Sequence, residues 1–553
     1  MKRFLQPVCS WACLLLLAAT AAFGQNSAGS LSGTVTDPNG GVIANAKVNA
    51  KHLATGRTNA TVSSSEGLYS FPNLEVGSYT LTVEQAGFKK LSRANVIVAI
   101  SNTTVADLKL EVGDVSQTVE VTTDTPPLQT ATTEVGVTFS AKLLTDAPIN
   151  AAGIRNPEAF IGFQPGVTNG AGAEGGISGG QRRSKEILID GVNATNPESG
   201  GVAFNGLPSV ESIGEFKLIN NTFAAEYGRT GGGIESFVTK SGGREFHGTA
   251  FLFHNSSAFN ANAWATKATP LGAGVVARKI PFHGNNFGGA IGGPIYTPKF
   301  LGGYNQDKTK SFFLFTTENF RRADAATSFR SLPTAKMRTG DFSEILPRQI
   351  FDPVNGQAFA GNIIPSNRFS NVSKNVLALI PATTTTGLLN NYLATIQTKT
   401  RQNSWSIKAN HNITDKHLVN FFYTWQDLGA VQTGPLPQPL QGGGTTSYSA
   451  NRPTFTRINY DYVITPTINL HLTYGNTKLR QIFDNDQVGQ GWPQKLGLKG
   501  VSEGDTNSFP VITFATDGYT AYADTNGNKT IGTQYNFTDH VRGDLSWTRG
   551  NFN

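Results

Sequence analysis

Residues 170–191 carry the two spacings in this chain that could do chemistry. Gly170-Ala-Gly172-Ala-Glu-Gly175 fits the G-x-G-x-x-G turn that seats a dinucleotide pyrophosphate, and Asp190 stands near the distance of a ribose-binding acid. Gly176-Ile-Ser178-Gly-Gly180 fits the G-x-S-x-G elbow that presents a nucleophilic serine. Both sites need a strand, a turn and then a helix, because the free N–H groups of that helix end hold the phosphate or lie beside the nucleophile. Here the flanks are Gln164-Pro-Gly166 and the glycines themselves, and the next regular segment, Glu186-Ile-Leu-Ile-Asp190, reads as a strand. Glycine abundance accounts for both motifs. None of the eight histidines opens an His-x-x-Glu pair. His247 and His254 are seven apart, which on a strand means opposite faces, and His411 and His417 are six apart in strand-like stretches. Asp190 and Glu215 read as turn and sheet residues and not as an acid/base pair. No catalytic residue, no metal ligand and no cofactor is expected.

The elements that carry these residues are β-rich. Glycine numbers 61 of 553 residues, about 11% against a usual ~7%, and charged residues are 15% where ~25% is ordinary. There are 35 Phe and 14 Tyr, too many aromatics for a disordered chain, and the composition is not that of a helical bundle. Met1-Lys2-Arg3, the apolar run Trp11 to Ala22 and Ala22-Phe23-Gly24 form a secretory signal peptide over residues 1–24. It contains both cysteines, Cys9 and Cys13, so the mature chain has no disulfide. Without it the formal charge of +7 falls to about +5, with no Lys/Arg block, so no nucleic-acid partner is expected. No later apolar run reaches 18 residues, which excludes helical spans but not β-barrel spans.

Residues 25–112 hold seven short β runs between turn residues, from Ser30–Val35 to Val105–Val112. In Tyr79, Leu81 and Val83 the apolar residues fall at period two, so one face is buried. This predicts an Ig-like β-sandwich. Gly33-Thr-Val-Thr-Asp37, Glu66-Gly-Leu-Tyr-Ser-Phe71-Pro72-Asn73-Leu74 and Gly77-Ser-Tyr-Thr-Leu-Thr-Val83 resemble a carboxypeptidase-regulatory-like domain. The resemblance implies a carbohydrate-binding-like fold, serving as a sugar-binding module or as a spacer. Residues 113–133 read as a linker with one strand-competent stretch, Gln117-Thr118-Val119-Glu120-Val121, before Pro126-Pro127.

Residues 134–244 resemble the α/β plug of TonB-dependent outer-membrane receptors. The resemblance rests on Ile187-Leu-Ile189-Asp190-Gly191, Pro208 to Ile213 with Glu215-Phe216-Lys217, Ala225-Glu-Tyr227-Gly228-Arg229, and Gly231-Gly232-Gly233 through Thr239-Lys240-Ser-Gly242. It implies structural and gating roles for Ile189, Asp190, Gly191, Glu215, Tyr227, Gly228, Gly232, Gly233, Thr239 and Lys240. Gly214-Glu215-Phe216-Lys217 and Glu235-Ser236 depart from the pattern of iron transporters, which argues against assuming iron. A regulatory-like domain ahead of this plug resembles the Oar-like receptors.

From residue 245 to 553 period-two alternation recurs. Trp405, Ile407, Ala409 and Ile413 alternate with Ser404, Ser406, Lys408 and Asn410. Ile458, Tyr460, Tyr462 and Ile464 oppose Arg457, Asn459 and Asp461; Ile468, Leu470, Leu472 and Tyr474 oppose Asn469, His471 and Thr473. Apolar-out, polar-in alternation suits a transmembrane β-barrel, whereas a soluble sandwich would reverse the faces. The stretch has length for about 10 strands against about 22 in a plugged transporter, so an open sheet is expected, the first part of an incomplete antiparallel barrel. The expectation is a receptor in outer-membrane lipid, with its N-terminal domain periplasmic. It would import a substrate, a glycan, peptide or metal chelate that the sequence does not specify, driven by the TonB-ExbB-ExbD complex. TonB would pair with Gln117 to Val121, unless Val119 and Val121 are simply the first plug strand. The alternative is an adhesin or secretion or signalling partner that uses the same barrel without energised import.

Overall fold

The computed structural model describes residues 28–114, 118–122, 134–146, 153–168, 175–197, 200–201, 206–222, 227–228, 230–261, 281–440, 448–465, 467–484, 489–501, 508–514, 518–522 and 532–547. The signal peptide with both cysteines, Gln117, residues 123–133, residues 170–174 of the first glycine motif, Arg229 and residues 548–553 lie outside the described residues.

The first unit is built from β1 (Gly29–Thr36), β2 (Lys47–His52), β3 (Thr58–Val62), β4 (Leu68–Leu74), β5 (Gly77–Glu84), β6 (Lys90–Val98), β7 (Thr103–Val105), β8 (Leu108–Lys109) and β9 (Thr118–Thr122). One sheet runs β4-β1-β7 with β8 also on β1; the other runs β3-β2-β5-β6-β9. Period-two alternation sends Leu31, Val35, Val48, Ala50, Tyr79, Leu81 and Val83 into one core between them. Tyr69 closes the core by donating its hydroxyl to the buried carbonyl of Ala106. β9 is not a plug strand but the edge of this unit's sheet, parallel to β6 with Leu91 opposite Val119. The reason is apolar: Val119 packs against the sandwich core, and β6 offers the open edge where it can do so with its backbone paired.

The plug follows as β10 (Val135–Ser140), β11 (Val167–Thr168), β12 (Gly176–Ile177), β13 (Glu186–Ile189), β14 (Val192–Asn193), β15 (Ile213–Asn221) and β16 (Ile234–Thr239), with a short helix at Ala141–Asp146. Its main sheet has the order β10-β15-β16-β13-β14, with β13 and β16 parallel. Phe139, Phe216 and Phe237 stack across it with ring centroids 4.6 Å apart. Asp190 and Gly191 join β13 to β14 with φ of 48° and 78°. Two positive φ values define the type I′ hairpin turn, which Asp-Gly adopts readily. Ser178 (φ 51°) sits in a turn after β12, with no helix behind it.

The wall is β17 (His247–Ser256), β18 (Phe282–Pro294), β19 (Ser311–Arg330), β20 (Tyr392–Thr414), β21 (His417–Gln432), β22 (Tyr448–Thr465), β23 (Ile468–Asp484) and β24 (Gly532–Trp547). The eight strands pair in chain order, and β17 and β24 do not meet, so the sheet is open among the described residues. Its faces settle barrel against sandwich. Ser404, Ser406, Lys408, Asn410, Arg457, Asn459, His471 and Thr473 are buried on the concave side, while Leu472 and Tyr474 remain 41% and 39% exposed. Among the described residues eight strands stand where ten or so were expected, because two run to 20 and 23 residues and one connection, residues 331–391, spans about sixty. Asp415-Lys416 turns tightly at one end; residues 331–391, 433–447 and 485–531 are long connections at the other. That asymmetry puts the tight turns on the periplasmic side.

The long connections pack on one another. Leu332, Val376, Ile380, Leu436, Leu440, Leu496, Phe509 and Tyr522 share a core, and Trp492 lies edge-on to Phe509. Its members are spread over some 190 residues, and only the fold joins them.

The Asp190-Gly191 turn gives a direct test. Gly191→Val forces a β-branched residue to positive φ, at a cost of about 1–3 kcal/mol. Peptides spanning 186–193 should lose amide-exchange protection accordingly, while Gly191→Asn should stay close to the parent.

Candidate functional site

The chemistry of this molecule lies where the plug meets the wall. Glu318, on the inner face of β19, is fully buried. Its Oε1 accepts from the Arg155 backbone N–H at 2.7 Å and from Asn286 Nδ2 of β18 at 2.8 Å, and Ser209 donates its hydroxyl to Oε2. The Arg155 guanidinium lies 3.4 Å from Glu318 and donates to Glu211 Oε1 at 2.8 Å. Phe251 of β17 covers that guanidinium, its ring centroid 4.1 Å away. A buried charge without partners is expensive, so this set fixes the plug against three wall strands.

A second seat lies under the Asp190 turn. Asp190 accepts from the Thr239 backbone N–H at 2.9 Å and from its hydroxyl at 2.6 Å, which ties the β13–β14 turn to the end of β16. Lys408 of β20 donates to the Thr239 carbonyl at 2.9 Å and stands 3.9 Å from Asp190. Arg457 of β22 donates to the Ile189 carbonyl at 3.2 Å. Gly475 of β23 completes the fit, since a Cβ there would run into the side chain of Val192.

Below this seat lies a cavity of about 1660 Å³ at the tight-turn end. Its lining joins His52, Asn73 and Glu75 of the first unit to Asp190, Glu215, Thr239 and Lys240 of the plug and to Lys408, Asp461 and His471 of the wall. The first unit closes it. Asn73 Nδ2 donates to Asp461 at 2.7 Å, the Arg244 N–H donates to the Ala54 carbonyl at 3.0 Å, and Lys217 Nζ donates to the Ser101 carbonyl at 2.6 Å. Lys217 also pairs with Glu134 at 2.9 Å. Burial pushes the Glu215 carboxyl up to about 7, opposed by a hydrogen bond from the Ile100 backbone and by Lys217. Deeper in the plug, Lys185 is held between Glu158 and Glu235, and burial pushes Glu235 up to about 8.

Of the residues picked from sequence, Ile189, Asp190, Gly191, Glu215, Thr239 and Lys240 come together at the seat and cavity. Tyr227 and Gly233 do not. Tyr227 packs with Leu188, Ile219 and Ile234 behind the sheet, and Gly233 (φ 149°) backs onto Ile177. Gly232 lies against Ser184, and Gly228 is exposed. Thr118 to Val121 lie in β9. Sequence reasoning passed over Arg155, Glu211 and Glu318. Among the described residues no cluster of three metal-ligating side chains occurs.

The comparisons with known proteins agree with this geometry. Residues 238–553, more than half the chain, match the model of the outer membrane beta barrel domain. The chain belongs to that family. Residues 30–111 match the carboxypeptidase regulatory-like domain. The TonB-dependent transporter Oar of Myxococcus xanthus is 26% identical over 308 residues, which is 53% of this chain and 28% of that protein. Among solved structures, the outer membrane transporter YddB from Escherichia coli matches at 10% identity and TM-score 0.42, covering 75% of this chain and 45% of its own. The ferric enterobactin receptor PfeA from Pseudomonas aeruginosa matches at 11% identity and TM-score 0.34, over 63% of this chain and 41% of its own. The chain thus spans well under half the length of each of these relatives. As an outer membrane beta barrel protein it lies in the outer membrane. The regulatory-like match thus precedes the plug sheet, and the plug sheet the barrel wall, along the chain.

Two measurements probe the seat. Glu318→Ala removes the acceptor shared by the Arg155 backbone N–H, Asn286 and Ser209 and leaves the Arg155 guanidinium with Glu211, and the plug should loosen by about 3 kcal/mol. Amide exchange over residues 153–168 should accelerate, and cells should admit large antibiotics more readily. For Glu215, the raised value means that the folded chain holds a proton that the unfolded chain releases above about 4.5. Plug stability should therefore fall between about pH 4.5 and 7 and level off above it, and Glu215→Gln should flatten that fall.

Proposed function

We propose that this protein is a TonB-driven gate of the outer membrane, which binds a ligand outside and passes it through the wall when the plug is pulled. The observation that carries this reading is the seat. Glu318, Lys408 and Arg457 of the wall each hold a plug atom by a charge-assisted hydrogen bond, and such bonds break individually under a directed pull. A plug held by a continuous apolar face would have to leave at once.

TonB, acting with ExbB and ExbD, is the periplasmic partner in this reading, and Thr118 to Val121 is its contact. β9 is an edge strand, paired on one side with β6, and its other edge is free for strand addition among the described residues. It also leads directly into the plug, so force applied there reaches β10. The external ligand is a glycan, a peptide or a metal chelate, met first by the packed loops around Phe509 and Tyr522. The N-terminal domain, of carbohydrate-binding-like fold, serves here as the periplasmic closure of the cavity.

The test uses a deletion strain complemented with the parent or with Val119→Pro/Val121→Pro. The double variant should insert into the outer membrane at the parent level and take up none of the candidate glycans, peptides or chelates that support the parent. Normal uptake would reject the TonB contact. Parent cells that bind a ligand at the surface but never accumulate it would instead favour an adhesin.

A further inference from the structure

The inner face of the wall changes character above the plug seat. One register row joins Asn286 of β18, Gln402 of β20, Asn451 of β22, Gln481 of β23 and Gln534 of β24. Carboxamides hold every position of that row from β18 to β24 except Phe320 and Leu428. Gln426 and Asn536 lie two residues along their strands from it and face the same way. On one side the row holds the plug: Gln402 Oε1 accepts from the Ile154 N–H at 2.9 Å, and Gln426 Nε2 donates to the Leu207 carbonyl at 2.7 Å. On the other side it runs on past those contacts. Gln481 Nε2 donates to Asn451 Oδ1 at 3.2 Å, and Gln534, opposite Gln481, is exposed. Two acceptors of the set, Asn286 Oδ1 and Gln426 Oε1, are buried with no partner among the described residues. An unpaired buried acceptor is costly, so the seated plug does not use all that these side chains offer.

Charge is sorted away from this surface. The inward positions of stretches 426–432, 449–455, 477–481 and 534–538 hold no charged residue. The charges of the same stretches, Asp427, Arg452, Lys478 and Arg480, all take the outward register. On β19 the inner pair just above the row, Arg322 and Asp324, is mutually neutralised at 2.6 Å. A formal charge taken out of water needs a counter-charge beside it, and this face offers none to an anionic chelate or to the two charged ends of a peptide. A carboxamide places a donor and an acceptor side by side, and a sugar hydroxyl is both as well. Phe253 of β17, opposite Asn286 in the same row, is half exposed and adds a flat apolar ring for the C–H face of a sugar.

We propose that the carboxamide row binds an uncharged oligosaccharide through its hydroxyls, and that this is the ligand of the gate. The inference rests on the gate reading above: a pulled plug strips Ile154 and Leu207 from Gln402 and Gln426 and hands those side chains to the passing sugar. Outer-membrane vesicles carrying the full chain, with vesicles of the deletion strain as background, are applied to an array of neutral and uronic-acid oligosaccharides. Ferric citrate and a zwitterionic pentapeptide are titrated in parallel. Neutral oligosaccharides should bind at least tenfold more tightly than uronic-acid chains of equal length and than either charged probe. Gln481→Leu/Gln534→Leu should lose at least tenfold of that binding, and Gln481→Lys/Gln534→Lys should turn the preference toward the uronic acids. No neutral oligosaccharide bound above background, tighter binding of a charged probe, or an unchanged preference in the lysine variant would overturn the proposal. The parent's own preference decides even where a variant fails to insert. Binding is read without TonB or an energised membrane, which separates the two readings. A parent that binds neutral oligosaccharides and never accumulates them defeats the gate while the site stands; one that accumulates a charged chelate defeats the site while the gate stands.

Discussion

A charge on the inner wall of a filled barrel has nowhere to find water, and most of this structure answers that constraint. Glu318 is buried completely, and its lone pairs are met by Arg155, Asn286 and Ser209. Lys408 and Arg457 are met by backbone carbonyls and the Asp190–Thr239 pair. The contacts of Arg155 and Ser209 with Glu318, of Thr239 with Lys408 and of Ile189 with Arg457 each draw one atom from the plug and one from the wall, which fixes the plug's register. Apolar packing contributes too, through Phe422 and Phe455 in the plug core, but such contacts tolerate sliding where directional ones do not.

The N-terminal unit extends the same logic to the periplasmic mouth. Its loops touch the wall at Asn73 and the plug at Ser101, with single hydrogen bonds around a large polar cavity. Such an interface is closed without being fused. At this interface burial disfavours the ionised form of Glu215, while a backbone hydrogen bond from Ile100 of the docking unit favours it.

The alternating strands were legible because a lipid-facing wall repeats one simple rule for many residues. Trp405 to Ile413 and Ile468 to Tyr474 announce both the strand and its facing, and Tyr79 to Val83 do so for the sandwich. The Asp190-Gly191 turn was legible because its backbone conformation restricts the residues that fit. What could not be read were juxtapositions across sequence. Arg155 and Glu318 are 163 positions apart, and neither has a neighbour that marks it. The loop core drawing on Leu332, Leu436 and Phe509 has no local period. β9 was misread because its Thr118-Val119-Glu120-Val121 pattern specifies a strand with one apolar face but not the sheet that receives it; the open edge of β6 decides that, and an edge is a property of the fold.

β19 and β20 stay paired from Ser311 opposite His411 to Arg330 opposite Tyr392, twenty residues without a break. At about 3.3 Å per residue and a tilt near 40°, that ladder rises roughly 50 Å, about twice the 25 Å of an apolar band. Its upper half is a mast standing clear of the bilayer. The packed loops are thereby carried roughly 25 Å beyond the apolar band, so a bulky molecule can reach them without entering the hydrocarbon.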